Sequence, residues 1–97
     1  MIYSFANQIT ADLYNDIKSI HTKRFLPELH RIARRKLFYL DEAEVLSDLK
    51  IPPGNRLESL KGDLKGFYSI RINVQWRIIF KWVNNRPEEV SIIDYHK

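Results

Sequence analysis

The chain has 97 residues, 44% of them apolar and 29% charged, with a formal net charge of +4. That length leaves room for one domain over residues 1–97, and the positive balance suits a polyanionic partner. The absence of cysteine excludes disulfides, thiolate metal sites and a cysteine nucleophile, and no apolar run approaches the ~18 residues a membrane span needs.

Ile2-Tyr3-Ser4-Phe5 is a short run of strand formers that must pair with a later sheet to be stable. It has no basic leader of the signal-peptide kind, so the expectation is a soluble cytoplasmic protein with no membrane partner. From Ala6 to Ile20 the residues Ile9, Leu13 and Ile17 recur every four positions. This predicts a helix, with Thr10 as cap and Asp12 in its first turn. His21-Thr22-Lys23-Arg24 reads as a polar connection.

A second helix begins at Leu26, with Pro27 at a first-turn position where its missing N–H costs nothing. Leu29, Ile32, Ala33, Lys36-Leu37, Leu40 and Ala43 form its inward stripe. Arg31, Arg34 and Arg35 give a basic outer face, suited to a nucleic-acid backbone or simply solvated. Glu42 and Glu44 end the run, and Val45-Leu46-Leu49 suits one more short turn. Ile51-Pro52-Pro53-Gly54-Asn55 breaks the helix. Arg56-Leu57-Glu58-Ser59-Leu60 then alternates like a short strand or an ordered loop.

Lys61-Gly62-Asp63-Leu64-Lys65-Gly66 is a basic loop bracketed by glycines, without the phosphate-binding G-x-x-x-x-G-K-[ST] pattern. Beyond it, Tyr68–Ile72 and Trp76–Phe80 alternate on either side of Asn73-Val74-Gln75, which predicts an antiparallel hairpin. A three-residue turn sets Ile70, Ile72, Trp76, Ile78 and Phe80 on one face. It sets Arg71 directly across from Arg77 on the other, where two like charges repel. An anion between them would relieve the repulsion; alternatively both are solvated, paired with Asp94 or Glu89. Lys81-Trp82-Val83 extends the hairpin, Asn84-Asn85-Arg86-Pro87 is a turn by composition, and Val90–Tyr95 is the last strand. The order strand, helix, helix, three strands predicts an α+β fold. Its N-terminal strand and two helices pack on one face of an antiparallel sheet whose other face stays open.

Asp94, Tyr95 and His96 end the chain with a carboxylate, a phenol and an imidazole, a set able to move or orient protons. His21 and His30 have no partners at metal-ligand spacing, so no metal or other cofactor is expected.

The string L-K-G-D-x-x-G-x-Y-S-I-R-x-N-x-x-W-R-I-x-F with a terminal D-Y-H resembles the HigB toxins, a branch of the RelE-like superfamily of toxin–antitoxin systems. The upstream P-P-G-N-R-L-E-S-L is similar to the GraT-like members, and the specific part runs from Pro52 to His96. The resemblance implies the RelE-like microbial RNase fold and a ribosome-dependent endoribonuclease that cuts translated mRNA in the 30S A site. It implies neutralisation by a HigA-like helix-turn-helix antitoxin, with operator DNA contacted only through that complex. It places catalysis on Asp94, Tyr95 and His96, with Arg77 and Lys61 as cations beside the phosphate. Arg71, Arg56, Lys65 and Glu58 become substrate-binding positions. Glu58 stands where some relatives carry a histidine; a carboxylate can serve as a base there but not as a cationic acid. The chemistry implied is metal-independent attack by the RNA 2′-hydroxyl. The other reading is a non-catalytic basic module that blocks translation or serves only as an antitoxin partner.

Overall fold

The structure is a computed structural model and describes residues 1–25 and 27–95. Helix α1, Gln8–Tyr14, starts at Asn7, not at Thr10. Asn7 Oδ1 accepts from the Thr10 backbone N–H at 3.1 Å and from the Thr10 hydroxyl at 2.5 Å. Thr10 is buried and accepts the Ile92 N–H at 2.9 Å. It therefore joins helix to sheet, a task its position in the sequence does not reveal.

The single helix expected over 6–20 is broken. Asn15 and Asp16 end α1, Asp16 at φ 58°, a left-handed conformation that Asn and Asp tolerate better than most residues. The segment expected as a connection instead forms helix α2, Ile20–Arg24. Ser19 and Thr22 make a reciprocal capping box there, each side chain satisfying the other's backbone N–H. Asp12 binds the two helices together, accepting from Gln8 Nε2 and from Ser19 Oγ, both at 2.7 Å.

Helix α3, Pro27–Glu42, follows the predicted stripe: Ala33, Leu37 and Leu40 are fully buried. Lys36 lies on the same stripe and is buried too. Arg34 leaves the basic outer face to donate to the Leu13 carbonyl at 3.1 Å. Two tight turns, Leu46–Lys50 and Pro53–Asn55, lead into the sheet.

The sheet comprises β1 (Glu58–Ser59), β2 (Phe67–Arg71), β3 (Trp76–Val83) and β4 (Arg86–Asp94), antiparallel in the order β1-β2-β3-β4. β4 begins earlier than predicted. Asn84 and Asn85, both at positive φ, make a two-residue hairpin turn. Pro87, one step beyond the first pair, turns its nitrogen to the outer edge, where no ladder donor is needed. That edge is covered by residues 2–5. They form no ladder of their own and contribute one parallel bridge, Phe5 to Val90, flanked by bonds from Tyr3 N to the Pro87 carbonyl and from Val90 N to the Ser4 carbonyl.

Ile70, Ile78, Phe80 and Val90 are fully buried against Leu13, Leu37 and Leu40. Each such side chain contributes about 1.5–3 kcal/mol over leaving it exposed, against ~0–1 kcal/mol for a surface ion pair. The apolar layer therefore holds helices to sheet. The far face is not fully open: Ser69, Ile79 and Ser91 are buried on it, and Arg77 lies over Ser69.

Candidate active site

The hairpin register is the one the alternation predicts. Arg71 pairs with Arg77, Ile70 with Ile78 and Tyr68 with Phe80. The turn is fixed by Asn73, whose Oδ1 accepts from the N–H groups of Gln75 at 2.9 Å and Trp76 at 2.7 Å.

The like-charge opposition is relieved from within the chain. Arg77 Nη1 donates to Ser69 Oγ at 2.7 Å and to the Arg56 carbonyl at 3.3 Å. Nη2 donates to Glu58 Oε1 at 2.9 Å. Glu58 sits on β1 across from Ser69, which brings its carboxylate onto the arginine face. The Arg77 side chain is only 11% exposed, whereas that of Glu58 is 49% exposed. Among the described residues the two carboxylates expected as partners bond elsewhere: Glu89 binds Lys81 at 3.0 Å, and Asp94 accepts from Gln75 Nε2 at 2.9 Å.

Tyr95 follows the parity of Arg77 and Ile93 and places its ring 5.4 Å from the Arg77 guanidinium carbon. Its N–H donates to the Gln75 carbonyl at 2.6 Å, tying the end of β4 to the hairpin turn. Together with Arg56, Asn73 and Val74 these residues line a cleft of about 330 Å³. Among the described residues three guanidiniums face one carboxylate there, so positive charge is in excess. Among the described residues neither Arg56 nor Arg71 has an ion-pair partner. The arrangement can hold an anion at Arg56 and Arg71, stabilise growing negative charge with a fixed Arg77, and accept a proton on Glu58.

The other predicted site residues lie elsewhere. Asp94 pairs with Trp76, on the opposite parity to Arg77, and does not line the cleft. Lys61 and Lys65 line a second concavity of about 310 Å³ with Gly62 and Gly66. Gly62 and Gly66 have φ of 63° and 96°, and open space surrounds both. Their positive φ serves the backbone's path. His96 lies outside the described residues. Among the described residues no three carboxylate or imidazole side chains converge as metal ligands, and no helix is long and apolar enough to cross a membrane.

Ser69, Asn73 and Val74 were not singled out from the sequence. Ser69 shares the parity of Arg71 and was open to the same reasoning. Val74 is a turn residue 83% exposed, and only the folded hairpin shows that it borders the cleft.

The chain is similar to known proteins in sequence and in fold. The family model described as the RelE-like toxin of type II toxin–antitoxin system HigB matches residues 3–96. The chain is 45% identical over 98 residues to Toxin HigB-1 of Vibrio cholerae serotype O1, covering 100% of this chain and 99% of that protein. It is 39% identical over 41 residues to Endoribonuclease HigB of Proteus vulgaris, covering 42% of this chain and 45% of the other. The fold is similar to that in the YoeB-YefM complex from Staphylococcus aureus, with a TM-score of 0.61 at 18% identity, covering 100% of this chain and 99% of that one.

Proposed function

The chain belongs to the HigB-type, RelE-like toxins of type II toxin–antitoxin systems, and from that premise we propose that it is a ribosome-dependent endoribonuclease that cuts translated mRNA in the 30S A site. The observation that carries the reading is the cleft itself. A nearly buried Arg77 is fixed by three partners, one of them the carboxylate of Glu58, with Arg71 across the ladder and Tyr95 against its guanidinium.

The scissile phosphate enters at Arg56 and Arg71 and approaches Arg77. Its anionic oxygens compete with Glu58 for the Arg77 guanidinium. Glu58, displaced, accepts the proton of the adjacent 2′-hydroxyl. The 2′-oxygen attacks phosphorus, and negative charge accumulates on the equatorial oxygens, where the fixed guanidinium contributes most. The bond to the 5′-oxygen breaks and that oxygen takes up a proton. The products are a 2′,3′-cyclic phosphate and a 5′-hydroxyl. His96 is the proposed proton donor and Asp94 an orienting group near it in sequence. Tyr95 stacks on a base or donates from its hydroxyl. Lys61 is the further cation proposed on the phosphate side, and Lys65 contacts the RNA backbone. The ribosome supplies alignment of the mRNA, worth several kcal/mol, and so few protein groups suffice.

The partner is an antitoxin of the HigA-like helix-turn-helix kind, and operator DNA is met through that complex. The protein acts in the cytoplasm, where translating ribosomes are.

The test is growth arrest on induced expression. Arg77→Ala, and separately deletion of His96-Lys97, each relieve arrest in protein that stays soluble and folded. Loss of the Arg77 guanidinium costs about 10²–10³-fold in cleavage rate. Full toxicity of both folded variants would show that the chemistry is not in this cleft.

A further inference from the structure

Lys36 is an anomaly on the buried stripe of α3. It is 7% exposed among Ala33, Leu37 and Leu40, a position where an aliphatic side chain would avoid the cost of burying a charge. Its ammonium donates to Asn55 Oδ1 at 2.6 Å. Asn55 is itself fully buried and spends its own amide on the Leu49 and Ile51 carbonyls, at 3.1 and 3.4 Å. Its backbone N–H closes onto the Pro52 carbonyl at 2.9 Å. A lysine from the helix layer therefore grips the last residue of the tight turn that precedes β1.

That turn ends at Arg56, which adopts φ 46° and ψ 57°. Residues with a Cβ rarely hold this left-handed conformation unless their surroundings impose it. The conformation aims the Arg56 carbonyl at Arg77 Nη1, 3.3 Å away. Two residues further on, Glu58 provides the second anchor of the same guanidinium. The path from Lys36 to Arg77 thus runs through Asn55 and the Arg56 backbone, and each link is a hydrogen bond or one step of chain.

We propose that Lys36 and Asn55 are positioning residues for the cleft: they lock the Pro52–Arg56 turn so that its carbonyl holds Arg77 in the orientation the reaction uses. The proposal deepens the nuclease reading and rests on it for its kinetic consequence, though not for its structural one. Burial, aided by the charge of Arg35, lowers the Lys36 pKa below that of an ordinary lysine, as expected for a cation whose described hydrogen-bond acceptor is a neutral amide. A lysine placed there at that cost is explained by what it holds in place.

The experiment uses the full chain with Lys36→Met, which keeps the length of the stem and removes the donor. Two quantities are read: the Arg77 side-chain Nε–Hε signal by NMR, assigned by its loss in Arg77→Lys, and kcat and KM for mRNA cleavage on programmed ribosomes. In folded Lys36→Met the Arg77 signal shifts. kcat falls about tenfold or more, as expected for a misplaced catalytic group, while KM stays within about twofold because Arg71, on β2 and outside that turn, still meets the backbone. Lys36→Gln, with a shorter stem and an amide donor, gives the same readouts if the methionine variant does not fold. An unmoved Arg77 signal in a folded variant overturns the proposal whatever the rate does, and loss of fold in both variants marks the pair as purely structural. A shifted Arg77 signal in a protein that never cuts mRNA, wild type included, upholds the positioning and refutes the nuclease reading.

Discussion

At the residue scale the cleft is built around Arg77. Its parity on the sheet and its opposition to Arg71 follow from alternation alone, because side chains repeat every two residues and a three-residue turn fixes the register. Its partners do not. Glu58 lies 19 positions away on a strand only two residues long, and so short a strand leaves little periodic signal in the sequence. Yet this carboxylate decides the electrostatics, since it neutralises the guanidinium that would otherwise repel Arg71. It also has the clearest residue-level consequence. Glu58→Gln keeps the shape and an acceptor for Arg77 while removing the charge and the proton acceptor. In single-turnover assays on programmed ribosomes the chemical step falls by about 10²–10⁴-fold, the usual contribution of a positioned base. Binding is equal or tighter, because the cleft has lost the one carboxylate among its described lining residues. An unchanged rate with Glu58→Gln would remove Glu58 from the chemistry.

At the scale of elements, the stretches with strong periodicity were legible and those governed by side-chain hydrogen bonds were not. The stripe of α3 and the β2–β3 hairpin follow from patterns that burial enforces. The break between α1 and α2 depends on Asn15, Asp16 and the Ser19–Thr22 capping box. These are local polar bonds that compete with the helix ladder and leave the apolar spacing intact across the gap. Asp12 holds that break closed. Hydrogen bonds first from Gln8 and then from Ser19, with a smaller contribution from His21 and against the opposing effect of burial, lower its pKa from the ordinary value of 3.8. A carboxylate with a depressed folded-state pKa stabilises the fold above its unfolded value and ceases to do so as pH falls through its folded value. Asp12→Asn therefore lowers the midpoint of thermal unfolding at neutral pH. The gap from wild type narrows below pH 3.8 as the native carboxylate becomes protonated. A gap of constant size across that range would mean that the ionised state of Asp12 contributes nothing.

At the scale of the whole molecule, the fold presents charge on one face and builds its core on the other. α1 and α3 pack with the sheet around Ile70, Ile78 and Phe80, leaving the far face to carry Arg71, Arg77 and Tyr95. The terminal Asp94-Tyr95-His96 group looks like a unit in the sequence, but strand parity divides it. Tyr95 joins the cleft and Asp94 turns to the Trp76 side. That division follows from the two-residue period of a strand and is visible only once the register of β4 is known.

The most direct test of the central claim is a map of mRNA 5′ ends in cells expressing the protein, with the chemistry of the new termini determined. The account predicts new ends within translated reading frames, in register with codons, bearing 5′-hydroxyls opposite 2′,3′-cyclic phosphates, and absent with Arg77→Ala. Arrested translation over intact mRNA would contradict it and identify the cleft as a binding surface without catalysis.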